Sequence, residues 1–107
     1  MNVYEYSSNP NQRFVEIQKE ELEKGEFASF SVQSMSEAMN TLSSGALKLY
    51  LYFIMNKNGY SFWLSKSHCC KVCGMSARTY FRAFDELIKK GYLSVVNNKH
   101  FFHEMPV

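Results

Sequence analysis

Three cysteines fall within one short stretch, Cys69, Cys70 and Cys73, in "HCCKVCGM". Cys70 and Cys73 have the Cys-x-x-Cys spacing of half a zinc site. Zinc wants four ligands in a tetrahedron, and no second knuckle follows. His68, His100 and His103 would complete a site only if the C-terminal hairpin folded back onto this segment. Helical phase gives the cysteines a different task. Cys69 and Cys73 are four residues apart and share one face, and a free cysteine packs as a small buried hydrophobe. A redox Cys-x-x-Cys would need a βαβ setting, which the pattern lacks. The expectation is packing, with no metal and no cofactor.

A few residues on, "SARTYFRAFDELIKKG" has a different character. With Ser76 as N-cap, Ala77, Arg78, Phe81, Arg82 and Asp85 share one flank of a helix. Tyr80, Ala83, Phe84, Leu87 and Ile88 share the other, which reads as the buried side. Two arginines in the first two turns can grip phosphate or bridge a guanine edge. The plainer reading is a solvated face, with Arg82 paired to Glu86 one turn on.

Nothing points to catalysis. There is no Ser/His/Asp or Cys/His spacing, no glycine-rich phosphate loop and no carboxylate cluster, so no enzyme is expected. Glutamates from Glu16 to Glu26 read as a solvated face. The chain has 107 residues, 46% of them hydrophobic and 16% aromatic. That is ample for one packed core and too short for two. The formal net charge is only +2, but it is unevenly spread. Residues 1–56 carry four basic and seven acidic side chains; residues 57–99 carry eight basic and two acidic. A basic half implies a polyanionic partner. No signal-peptide pattern opens the chain, and the longest apolar run, "ALKLYLYFIM", is too short for a membrane span. An odd cysteine count fits a reducing cytoplasm.

These side chains need elements to hold them. Residues 1–12 read as a flexible N-terminal segment, and 13–107 as a single domain with its core over 43–104. "RFVEIQ" is a short strand or an extended arm, and "KEELEKGEF" about two turns of helix. "SMSEAMNTL" is helical, capped by Ser34 or Ser36. The strongest helix follows Ser43 or Ser44: Leu47, Tyr50, Leu51 and Ile54 recur at helical spacing, and apolar neighbours nearly surround it, so it is the buried centre. "NKNG" stops it, and "YSFWL" alternates like a short strand. Ser65 caps a helix from Lys66 to Cys73, broken by Gly74, and the Ser76 helix runs to about Lys90. "YLSVV", the turn "NNK" and "HFFHEM" make a hairpin. The class is mainly α with a small β-hairpin.

From Leu64 to Leu93, "LSKSHCCKVCGMSARTYFRAFDELIKKGYL" resembles a winged helix-turn-helix. The resemblance implies a small residue at Cys70 where two helices cross, and leucine-like packing roles for Cys69 and Cys73. It implies a left-handed turn at Gly74, a core plug at Met75, and a recognition helix that starts at Ser76. Upstream, "RFVEIQKEELEKGEFASFS…LSSGALKLYLYF" looks like the start of replication-initiator and replisome-organiser domains of phages and plasmids. Three features depart from the pattern. Tyr80 and Phe84 are larger than the usual aliphatics, Phe81 replaces a small polar residue, and Asp85 and Glu86 put negative charge midway along the helix.

The resemblance implies sequence-specific binding of double-stranded DNA, in replication initiation, partition or transcriptional control. Arg78, Arg82 and Phe81 would approach base edges. Lys66, Lys71, Ser76, Thr79, Lys99 and His100 would meet phosphates or the minor groove. A homodimer is expected, through the aromatic N-terminal arm or the Phe101–Phe102 strand. The rival expectation is a protein-interaction winged helix, such as a phage-encoded inhibitor of a host protein.

Overall fold

The computed structural model describes residues 12–18, 28–57 and 61–107. Four helices come first, α1 (Val32–Thr41), α2 (Ser44–Asn56), α3 (Lys66–Cys73) and α4 (Ala77–Lys89); strands β1 (Leu93–Val96) and β2 (Lys99–Phe102) follow. The architecture is a winged helix-turn-helix: α3, a turn, α4, then an antiparallel hairpin.

Each helix starts where a serine can satisfy its free N–H groups. Ser31, Ser43, Ser65 and Ser76 are the N-caps, each accepting from the N–H three residues on. Ser31, rather than Ser34 or Ser36, opens α1. Ser34 is instead buried at 1% exposure, with its hydroxyl held by the Ser31 carbonyl and by Glu104.

α2 is the centre, as its composition predicts. Ala46, Leu49, Tyr50, Tyr52, Phe53 and Ile54 are buried. Its aromatic rings hold the base of the wing: Phe53 stacks on Phe102 at 5.1 Å, and Tyr50 meets the edges of Tyr92 and Phe102 at 5.4 and 5.5 Å. Edge-to-face and offset pairs of this kind add to the apolar burial. Ala38 and Leu42 extend the core back to α1.

The first turns of α2 and α4 come close together. A Cβ on Gly45 would stand 2.9 Å from Thr79 Cγ2, so only glycine fits there without a shift. Glu86 of α4 reinforces the junction. Its carboxylate accepts from the Ser43 N–H at 2.8 Å and the Ser43 hydroxyl at 2.7 Å, a second cap for α2.

The strand expected over "YSFWL" is not formed among its described residues 61–64, and of the two expectations for "RFVEIQ" the short strand is not formed. Residues 12–18 and 61–65 have no regular structure, and among the described residues the sheet consists of β1 and β2. The alternation in "YSFWL" is real at the side-chain level. Phe62, though 37% exposed, lies against the Tyr52 and Phe53 rings at 6.3 and 5.7 Å and Leu64 is half-buried, while Ser61 and Trp63 make no such contact and are exposed. The alternation therefore arises from packing on α2 without a backbone ladder. The helix read over "KEELEKGEF" lies outside the described residues, as do Asn58 and Gly59 of the "NKNG" stop.

In the hairpin, Val96 pairs with Lys99 across Asn97 and Asn98, whose φ angles are 51° and 64°. Positive φ at both central residues is the type I′ turn, which asparagine tolerates. Leu93 and Phe102 anchor the base, and the residues nearer the tip are exposed. Beyond the wing the chain turns back onto the body. Glu104 ion-pairs with Lys57 at 2.7 Å and accepts from the Ser31 N–H at 2.8 Å, and its carbonyl accepts from the Tyr50 hydroxyl at 2.9 Å.

Candidate nucleic-acid interface

The turn between α3 and α4 sets the geometry. Gly74 has φ 65° and ψ 43°, the left-handed conformation, and its N–H bonds back to the Cys70 carbonyl. The Met75 N–H reaches the same carbonyl at 3.0 Å, and the Met75 side chain packs against the core. α4 then begins at once on its Ser76 cap. Tyr80, Ala83 and Leu87 are 6%, 2% and 0% exposed, and Phe84 is half-buried. Ile88 departs from expectation at 37% exposed. The chain leaves α4 at Gly91, and Tyr92, 1% exposed, takes the buried position at this end of the core.

The outer flank of α4 carries Ala77, Arg78, Phe81, Arg82 and Asp85, all exposed. Among the described residues neither arginine has a hydrogen-bond or ion-pair partner. The expected Arg82–Glu86 pair is absent, because Glu86 turns inward to Ser43 and to Lys90 at 3.2 Å. Burial would raise the Glu86 carboxyl, but bonds from the Ser43 N–H, the Ser43 hydroxyl and Lys90 outweigh it and hold the group below its usual range. Asp85 faces out and pairs with Lys89 at 2.9 Å. The two acids midway along α4 are thus both neutralised by lysines. Lys90 also donates to the Thr41 carbonyl at the end of α1.

The structure brings α3 and the wing up to this flank. Lys66, at the start of α3, sets its ammonium 5.2 Å from the centre of the Phe81 ring, a cation–π contact. Phe81 stays 59% exposed. Lys71 is exposed in the last turn of α3. Ser76 Oγ donates to Thr79 Oγ1 at 3.1 Å, so the Ser76 hydroxyl hydrogen is committed to the cap while that of Thr79 is available. His100 of the wing meets the Phe84 ring edge at 5.4 Å, which ties β2 to α4, and Lys99 stands exposed at the wing tip.

The cysteines line the support side. Cys69 is fully buried, and Cys70 and Cys73 are half-buried. Burial first, then the neighbouring Cys73 and Cys70 thiols, push the Cys69 thiol up to about 12. The histidines turn to separate partners. Tyr52 holds His68 at 2.7 Å, Ser94 holds His103 at 2.8 Å, and Phe84 flanks His100. Among the described residues no three His, Cys, Asp or Glu side chains gather around one point.

One exposed residue escaped the sequence reading. Trp63 is 99% exposed just ahead of α3. Its place at the outward position of an alternating segment was the available signal.

No helix among the described residues is long and apolar enough to cross a membrane. No curated protein and no solved structure matches the chain. A family model described as a helix-turn-helix domain matches residues 40–93, from the end of α1 to the first residue of β1. That span is just over half of the 107 residues and contains every helix of the motif and its turn. The chain therefore belongs to the helix-turn-helix domain family, which makes DNA its expected partner.

Proposed function

We propose that this protein binds double-stranded DNA sequence-specifically, with α4 in the major groove, and is not an enzyme. The observation that carries the reading is the pair Arg78 and Arg82. Both are exposed and without partners among the described residues, on the outer flank of a helix whose inner flank is buried. A desolvated arginine without a partner is costly, whereas an exposed one in the first two turns is available to guanine O6 and N7. The part of Phe81 that Lys66 leaves open suits a thymine methyl. Lys66, Lys71, Thr79, Lys99 and His100 are placed for phosphates; Ser76 serves first as the cap.

Five or six phosphate contacts give a log–log salt slope of roughly −4 to −5. The test is duplex binding at several salt concentrations with R78A/R82A alongside. The double variant loses affinity and preference for its site while most of the salt slope remains, because both arginines are assigned to base edges. Binding that ignores salt, or a double variant that binds like the parent, rejects the reading. The exposed Phe81 favours a second reading, a docking face for another protein, and that result would select it.

A single domain of this size binds modestly, so the reading includes pairing of two copies on a two-fold or repeated site. The exposed Phe14, Val15, Ile17 and Phe101 are the candidate contacts. A setting in replication initiation, partition or transcriptional control of a phage or plasmid rests on the upstream pattern alone. A reducing cytoplasm suits the three free cysteines.

A further inference from the structure

Trp63 is the only tryptophan in the chain and is 99% exposed. An indole offers the largest apolar area of any side chain, and leaving it in water is a standing cost that packing could have removed. The backbone around it is fixed on both sides. Phe62 is seated against the Tyr52 and Phe53 rings of α2, and Ser65, two residues on, caps α3 with a bond from the His68 N–H. Trp63 is therefore presented outward from a short segment anchored at both ends.

Its surroundings point to the kind of partner. Three residues on, Lys66 lies over Phe81 of α4, so this end of α3 adjoins the arginine-bearing flank. The nearest charged residue in sequence is Lys66, and no acidic side chain lies between Lys57 and Asp85. In sequence, the polar neighbours of Trp63 are Ser61, Ser65, Lys66 and Ser67, one basic and three hydroxyl-bearing. An indole N–H is a donor only, which matches a phosphate oxygen, and its ring can lie on a deoxyribose.

Resting on the DNA reading above, we propose that Trp63 is a duplex contact outside the helix-turn-helix pair. It donates its indole N–H to a backbone phosphate flanking the site that α4 enters. It extends the footprint and carries no sequence information.

Because residue 63 is the sole tryptophan, emission excited at wavelengths that the seven tyrosines do not absorb reports it alone. The experiment titrates the full chain with a labelled duplex of mixed sequence at low salt. It follows tryptophan emission and DNA anisotropy together, and repeats the anisotropy with W63A and W63F. Emission should change in step with anisotropy. W63A should bind at least about tenfold more weakly, the loss expected of one hydrogen bond to a charged phosphate. Its salt slope should be unchanged, because no charge is removed. W63F keeps a ring and removes the donor, so it should show most of the same loss. An exposed site makes both variants foldable, and far-UV circular dichroism checks this.

Duplex binding with unchanged emission, or with W63A binding like the parent, overturns this inference and leaves the DNA reading intact. A W63F that binds like the parent removes the phosphate bond. Emission that shifts with protein concentration alone assigns Trp63 to a second copy and overturns the proposal. Absence of any duplex binding sinks both readings together.

Discussion

Glu104 offers the most direct test of how the fold is closed, through E104Q. Its carboxylate takes Lys57 Nζ at 2.7 Å, the Ser31 N–H at 2.8 Å and the Ser34 hydroxyl at 2.5 Å. One acid thus joins the end of α2, the start of α1 and the segment after the wing. Burial alone would raise its pKa, but the Lys57, Ser31 and Ser34 bonds and the Lys57 charge win and bring it to about 2. A drop from the ordinary 4.5 to about 2 corresponds to about 3 kcal/mol at most. The side chain is 24% exposed, so screening by water reduces this to about 1–2 kcal/mol. The sign follows from the depressed folded pKa. The stabilisation is complete above the unfolded value and is lost as pH falls through the folded one. Glutamine keeps the shape but turns a charge pair into a neutral contact and sets an amide N–H₂ among donors. At pH 7, E104Q should therefore melt about 5–10 °C below the parent. The gap should narrow as pH falls from about 5 and nearly vanish near 2. Urea or thermal unfolding across that range measures it. Equal stability at neutral pH, or a gap that stays constant into acid, would refute the reasoning.

Three further outcomes can be checked. E86A removes the second cap of α2 and the Lys90 pair, and should cost about 1–2 kcal/mol in urea unfolding, while R78A/R82A leaves stability within about 0.5 kcal/mol because both arginines are exposed. With an excess of a thiol reagent at pH 8, Cys70 and Cys73 should be labelled first and Cys69 only on unfolding, since its thiol is buried and held near 12; rapid labelling of Cys69 in the native state, read by peptide mass, would contradict its packing.

How much of this was legible depended on distance along the chain. The helices α2, α3 and α4 could be read because their signals are local: a serine cap, a 3.6-residue apolar rhythm, and a glycine in the left-handed turn at Gly74. The hairpin was legible from Asn97 and Asn98, which accept positive φ, but its bounds were not: Lys99, read as part of the turn, is the first residue of β2, and the strand ends at Phe102 rather than running to Met105. The other misreadings share one cause. "YSFWL" alternates for a reason that lies in α2, the rings of Tyr52 and Phe53, and a period of two does not distinguish a paired strand from a segment laid over a helix. Arg82 and Glu86 have the ideal spacing for a helical pair, yet Ser43, more than forty residues away, offers the carboxylate two donors where Arg82 offers a solvent-screened charge.

That competition bears on function as well as fold. By turning Glu86 inward to cap α2, the structure removes the one acid spaced to occupy Arg82, and Lys89 occupies the other, Asp85. The acids that counted against a DNA-facing helix are engaged elsewhere, which leaves Arg82 unpartnered among the described residues, and Arg78 has no acid at helical spacing. The same junction fixes the start of α4, where Thr79 lies against Gly45, so the arginine flank is held by α2 itself. A helix face backed by α2 is preorganised in its backbone, so under the proposed DNA reading the ordering cost falls on the two exposed arginine side chains alone.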